Sequence, residues 1–95
     1  MSLTFYVLLW AHPGAEQALI AYEDTVLGLV PQHGGRVVQR SRSDGAEGRP
    51  LEIQLFEFPS TESFDAYMHD PRRTALATER DHSIAKTEMI NVEVV

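Results

Sequence analysis

The sequence predicts an α+β fold with the element order β-α-β-β-α-β. Three observations carry that prediction. The run His33-Gly34-Gly35-Arg36-Val37-Val38 closes a helical stretch and opens a strand. The run Leu55-Phe56-Glu57-Phe58-Pro59-Ser60 is a strand leading into a second helical stretch, Ser63 to Met68. Between them, Asp44-Gly45-Ala46-Glu47-Gly48-Arg49-Pro50 has the composition of a turn, which joins two strands most simply as a hairpin.

Leu3 to Ala11 reads as the first strand. Phe5, Val7 and Leu9 point one way and Tyr6, Leu8 and Trp10 the other. A strand apolar on both faces belongs in the middle of a covered sheet. His12-Pro13-Gly14 breaks it, and Pro13 suits a first helical turn, where its missing N–H is not needed. Ala15, Ala18, Leu19, Tyr22, Val26, Leu29 and Val30 then recur at helical spacing as one apolar stripe, with Glu23 and Asp24 off it. Pro31 is expected to end or kink this helix at Val30. Gly34 and Gly35 supply the permissive backbone for the turn that follows.

Arg36 to Ser43 is the second strand and Leu51 to Phe58 the third. Their simplest register puts Val37, Gln39 and Ser41 on the same face as Leu51, Ile53 and Leu55, a face apolar enough to receive helices. Arg36, Val38, Arg40 and Arg42 then share the other face with Glu52, Gln54, Phe56 and Phe58, and Glu52 meets Arg40 or Arg42 across the strands. Ser60 is a good N-cap for the second helix. Asp70-Pro71 restarts that helix with a cap and a first-turn proline. Leu76, Ala77, Ile84 and Ala85 continue its buried side. Glu88 to Val95 is expected as the last strand.

Right-handed crossovers around a central hairpin make this order a ferredoxin-like antiparallel sheet with both helices on one face. The other face has no helix to cover it. Tyr6, Leu8, Trp10, Phe56 and Val38 are assigned to it, and burying each large apolar side chain is worth about 1.5–3 kcal/mol. A second copy packed sheet to sheet is the simplest cover, so a homodimer is expected.

A chain of 95 residues is expected to form one domain, 1–95. The net charge of −6 argues against nucleic acid as a partner, because phosphate binding needs clustered basic surface. The absence of cysteine excludes disulfides, thiol nucleophiles and cysteine-based zinc sites, and it fits the cytoplasm. No run approaches the roughly 18 apolar residues of a membrane span. Leu3 to Ala11 lacks a basic flank and reads as a strand, not a signal peptide.

The helix ending at His33-Gly34-Gly35-Arg36, the Glu47-Gly48 before the third strand, and Phe58-Pro59-Ser60 before a short helix together resemble the DUF1330-type small domains. Tyr67-Met68-His69-Asp70-Pro71 falls where such proteins have a short helix break. Asp70-Pro71-Arg72-Arg73 departs from them, since an acidic-aromatic pair is more usual there. The resemblance places the chain in the dimeric α+β barrel superfamily, with antibiotic-biosynthesis-type monooxygenases and muconolactone isomerases. It implies a homodimer with a barrel-like core and a cleft between sheet and helices.

Several residues are candidates for chemistry. His12 ends the first strand beside a turn and titrates near neutrality, which suits proton transfer; capping the helix is its structural alternative. Tyr6, Trp10 and Phe56 are candidate aromatic walls for a substrate, against simple core packing. Arg36, Arg40 and Arg42 share a strand face, and Arg40 is the candidate anion contact. Glu52, Gln54, Asn91 and Glu93 are polar residues on strands that otherwise bury apolar groups. With Arg40 they would furnish an acid, an amide and a guanidinium. His33, His69 and His82 have no helical metal-site spacing, and adjacent His69 and Asp70 point apart, so no metal is assigned. No phosphate loop or cofactor motif is present. By its resemblance the chain is expected to be a small-molecule-binding protein or a cofactor-independent enzyme, oxygenase- or isomerase-like, acting on a small cyclic or aromatic compound. The alternative is a non-catalytic dimerising module whose cleft is filled by its own side chains.

Overall fold

The computed structural model describes residues 2–95. Strand β1 (Leu3–Ala11) is followed by helix α1 (Glu16–Val26) and a tighter 3₁₀ stretch, Leu27–His33. Strands β2 (Arg36–Arg42) and β3 (Glu52–Phe58) form the hairpin. Three short helices follow, α2 (Thr61–Met68), α3 (Pro71–Thr74) and α4 (Ala77–Ser83), before strand β4 (Ile84–Asn91). The sheet order is β2-β3-β1-β4 with every neighbour antiparallel. The architecture is therefore the expected ferredoxin-like α+β sheet with its helices on one face.

Local chemistry explains the boundaries. Glu16 reaches back to accept from the Gly14 N–H (3.0 Å), satisfying a donor ahead of α1. Pro31 does not stop the helical path at Val30, as expected from the sequence; it lies inside the 3₁₀ stretch. That stretch ends at Gly34, whose φ of 76° is left-handed, with the Gly35 N–H donating to the Val30 carbonyl (3.1 Å). Ser60 caps α2 by accepting from the Ser63 N–H (3.1 Å), and Asp70 caps α3 by accepting from the Arg72 N–H (2.9 Å).

The register assigns the faces, and here the sequence expectation is reversed. Phe5, Val7 and Leu9 pair with Phe56, Gln54 and Glu52, and these face the helices. Tyr6 and Leu8 pair with Leu55 and Ile53 on the helix-free side. Phe56 thus sits under the helices, 4% exposed, and not on the open face. The physical reason is aromatic area. Phe5, Phe56 and Phe58 stack along the sheet, and burying them outweighs burying Ile53, Gln39 and Ser41. A bulge between Val37 and Gln39 keeps Val37 on the helix side, as expected, beside Phe56, and brings Arg40 and Arg42 to that side as well, so they do not share a face with Arg36 as the alternation predicted.

Strand β4 starts four positions before the expected Glu88. Ser83 is fully buried, and its carbonyl accepts from the His12 N–H (3.0 Å). This locks the end of α4 to the end of β1, and Ile84 goes directly into register with Ala11. Ile84 and Ala85 are therefore strand residues and not the end of a helix.

Two apolar clusters fill the helix–sheet interface. One joins Leu9, Leu19, Tyr22, Val26, Leu51 and Ile84; the other joins Phe5, Val30, Phe56, Phe58 and Tyr67. Gly35 is required for the second, because a Cβ there would lie 2.5 Å from Phe58 Cε1. Gly35→Ala is expected to lower stability by about 1–3 kcal/mol through overpacking, read as a shift of the urea midpoint at constant slope. An unchanged midpoint would show that Phe58 yields freely.

Candidate functional site

The seam between the two apolar clusters is not fully packed. A cavity of about 120 Å³ lies there, bounded by β1, β3, α2 and α4. Phe5, Phe56 and Phe64 form one end. Phe5 and Phe56 stack 5.4 Å apart at 11°, and Phe64 meets Phe5 edge-on at 5.0 Å. At the other end Glu23, Gln54 and Arg73 converge. Thr87 and Met89, exposed on edge strand β4, mark its open side.

Each polar group is positioned by a definite local feature. Glu23 lies one helical turn from Leu19 and beside Tyr22 on the inward side of α1, and is only 6% exposed. Gln54 stands in the middle of β3 opposite Val7. Arg73 is carried in by α3. The Asp70 cap and Pro71 restart the helix, and Asp70 is held by the Arg72 guanidinium and by His33 Nε2, each at 2.8 Å. Those contacts and the Arg72 N–H keep the Asp70 carboxyl well below the usual range. The Arg73 guanidinium then lies over the Tyr67 ring, 5.2 Å from its centre.

The amide of Gln54 joins two carboxylates. Its Nε2 donates to Glu23 Oε1 (2.8 Å) and Glu52 Oε1 (2.9 Å). Two acceptors fix which end of the amide is nitrogen, so Oε1 points away from both. It is buried and has no partner among the described residues. Tyr22 Oη and Arg73 Nε are likewise buried without a partner among them. Unpartnered buried polar atoms are uncommon, and two of these three, on Gln54 and Arg73, belong to residues that border the cavity.

The two carboxylates differ in environment. Burial alone would raise the Glu52 pKa. Hydrogen bonds from Arg40, Gln54 and Arg42 reverse that and lower it. Arg40 donates twice to Glu52 at 2.7 Å, and Arg42 donates at 2.9 and 3.1 Å. Glu23 has no arginine hydrogen-bonded to it among the described residues. Burial pushes its pKa up, and the Glu52 charge adds to this, against the Gln54 bond and the more distant Arg73 and Arg40 charges. The two neighbouring acids are thus pushed in opposite directions, Glu52 toward its ionised form and Glu23 toward its protonated form. Tyr67, beside them, is pushed up to about 12 by burial and stays neutral.

The candidates from the sequence divide around this cavity. Phe56 lines it. Arg40 is on the correct side of the sheet, but its guanidinium is committed to Glu52, Asp24 and the Ile20 carbonyl. His12 is exposed at the end of β1 beside Pro13, Asp81 and His82. Tyr6 and Trp10 stand on the helix-free face; the Trp10 indole N–H donates to the Gly48 carbonyl (2.8 Å), and Lys86 Nζ lies 4.6 Å over its ring. The structure does not bring His12, Tyr6 or Trp10 to the cavity. The sequence reading missed Glu23 and Arg73. Glu23 could have been found as a charge at i+4 from Leu19, within a stripe that is otherwise apolar. Arg73 carried no such mark.

The comparisons with known proteins agree with this architecture. The family model described as "Domain of unknown function (DUF1330)" matches residues 4–95, so the chain belongs to that family. No curated protein matches it. Among solved structures, a putative antibiotic biosynthesis monooxygenase from Bacteroides thetaiotaomicron superposes with a TM-score of 0.81 at 11% identity, covering 99% of this chain and 90% of that one. A protein of unknown function from Rhodopseudomonas palustris gives 0.79 at 18% identity, with 99% and 82% covered. A dimeric ferredoxin-like protein of unknown function from Jannaschia sp. gives 0.71 at 18% identity, with 99% and 100% covered. At these identities the likeness establishes the fold.

The raised pKa of Glu23 sets a sign for stability. A carboxyl whose folded pKa exceeds its unfolded one holds its proton in the fold after the unfolded chain has lost it. The fold therefore loses stability as pH climbs above the ordinary value of 4.5. Glu23→Gln removes this loss. Its urea midpoint relative to wild type is expected to rise between pH 4 and pH 7.5; a difference independent of pH would mean that Glu23 titrates normally.

Proposed function

We propose that this chain is a cofactor-independent proton-transfer enzyme, isomerase-like, acting on a small cyclic carbonyl compound in the seam cavity. The observation that carries this reading is a buried carboxyl, Glu23, tethered by one amide in an aromatic-walled cavity beside the unpartnered Nε–H of Arg73. The cavity, about 120 Å³, is somewhat smaller than the roughly 150 Å³ that takes benzene, so it would hold at most one ring, with any substituent lying in its open side. The Glu23 carboxylate removes a proton from the carbon next to the carbonyl. The electron pair of that C–H bond forms a C=C bond as the carbonyl π pair moves to its oxygen, which accepts from Arg73 Nε–H. In a ring that carries a β,γ double bond, Glu23 returns the proton at the γ carbon, giving the conjugated isomer with no net oxidation. The unfilled cavity favours this over a dimerising module with a closed cleft.

The test is deuterium incorporation in heavy water, followed by proton NMR over a panel of six-membered cyclic ketones and lactones. Wild type is expected to exceed the buffer rate for at least one member, and Glu23→Gln to lose about 10²–10⁴-fold of that excess. A panel in which nothing exchanges faster than in buffer, or an undiminished Glu23→Gln rate, would sink the reading.

The working unit in this reading is a homodimer of one-domain chains, 1–95, in the cytoplasm. Tyr6, Leu8, Trp10, Ile53 and Ile90 give the helix-free face an apolar surface that a second copy would cover. The dimeric state of the Jannaschia protein supports this by analogy. Among the described residues no helix is long and apolar enough to cross a membrane. Wild type is expected to sediment at twice the chain mass and Leu8→Glu at the chain mass, with its helical circular dichroism retained. Wild type sedimenting as a monomer at tens of micromolar would rule the dimer out.

A further inference from the structure

The arginines of this chain fall into two groups. Arg36, Arg40, Arg42, Arg49 and Arg72 are each ion-paired with a carboxylate. Arg73 and Arg80 have no such pairing among the described residues, and both line the seam cavity. Partners are not scarce: 14 acidic residues face 8 basic ones. The hydrogen bonds of these two arginines are few and long. Arg73 Nη1 donates to the Met68 carbonyl at 3.4 Å, and Arg80 Nη2 donates to Thr87 Oγ1 at 3.3 Å. Arg73 Nε has no acceptor among the described residues.

Two guanidiniums beside an aromatic wall, neither with a carboxylate partner among the described residues, are complementary to a planar anion. Carboxylates match the guanidinium fork with two parallel bonds, and such charge-assisted bonds are roughly twice as strong as neutral ones. We propose that the cavity takes a single-ring carboxylate: the ring lies against Phe5, Phe56 and Phe64, and the carboxylate is held by Arg73 and Arg80 toward the open side. Arg73 then has two duties, anchoring the carboxylate through its outer nitrogens and facing the reacting carbonyl with Nε. The acidic partner of this site is thus brought by the ligand, while Glu23 keeps its amide contact and remains available to the ring. The inference rests on the cavity being a ligand site, as above, and does not depend on proton transfer.

The test is isothermal titration with sodium benzoate and with benzyl alcohol, which share a ring and differ in charge. Benzoate is expected to bind wild type, to weaken at high salt, and to bind about tenfold or more tightly than benzyl alcohol. Arg73→Gln and Arg80→Gln are each expected to weaken benzoate by about tenfold or more and to leave benzyl alcohol unchanged. Arg49→Gln, on the far loop, is expected to change neither. Arg80 is partly exposed on a helix, so its variant supplies the result even where Arg73→Gln does not fold. Equal binding of the two probes, unaffected at Arg73 and Arg80, overturns the carboxylate and leaves the cavity reading intact. Failure of both probes to bind wild type overturns the two together. Benzoate binding that survives at Arg73 and Arg80 but is lost in Arg49→Gln is surface ion binding, and overturns the proposal.

Discussion

The side-chain amide of Gln54 is the constraint on which the candidate site depends. One nitrogen must serve two carboxylates from different elements, Glu23 on α1 and Glu52 on β3. Leaving a buried polar group without its partner costs about 1–3 kcal/mol, so the position of α1 over the sheet is tied to this bond. The ion cluster outside it acts on the same amide. Arg40 and Arg42 reach Glu52 from β2, and Arg40 also reaches Asp24 on α1. The hairpin and the helix are thereby clamped at one depth. The cluster absorbs the charge of Glu52 and leaves Glu23 only the Gln54 bond and the more distant Arg73 and Arg40 charges. The reactivity assigned to Glu23 is a consequence of where the arginines are, more than of Glu23 itself.

The cavity exists because the helix layer is discontinuous on its second half. A single helix running from Ser60 to Ser83 would present one stripe to the sheet. Instead Asp70 and Pro71 start a new helix, so that α2 packs on β3, α4 packs on α1 and β4, and the short α3 bridges them. α2 supplies Phe64 and Tyr67 to the aromatic end, α3 supplies Arg73, and α4 supplies Arg80. The two apolar clusters therefore meet without merging, and the polar groups occupy the seam. His33, at the end of the first helical path, fastens this arrangement through Asp70 while its ring packs edge-on against Tyr67, 6.3 Å between centres.

Much of this was legible in the residues because it depends on local rules. The element order, the Ser60 and Asp70 caps and the pairing of Glu52 with Arg40 and Arg42 follow from turn chemistry, capping and alternation. The choice of inner face was not legible. Strand β3 offers Ile53 and Leu55 on one side and Phe56 and Phe58 on the other, and alternation alone does not rank them. Packing of Phe5 and Phe64, distant in sequence, decides it. That reversal carried Phe56 into the cavity and left Tyr6 and Trp10 outside it. Ile84 was misread for a similar reason: its strand state depends on Ser83 being anchored to His12, a contact between opposite ends of the chain.

Trp10 is the one tryptophan in the chain. It stands on the sheet face away from the helices, with Lys86 over its ring and its indole N–H held by the loop between β2 and β3. Its emission is therefore an optical report on that outer face and on the seating of the loop. A molecule entering the helix–sheet seam passes on the other side of the sheet and leaves the indole's surroundings untouched, whereas a chain docking against the sheet changes them directly. Ultraviolet-excited fluorescence in this protein separates assembly from ligand entry without any added label.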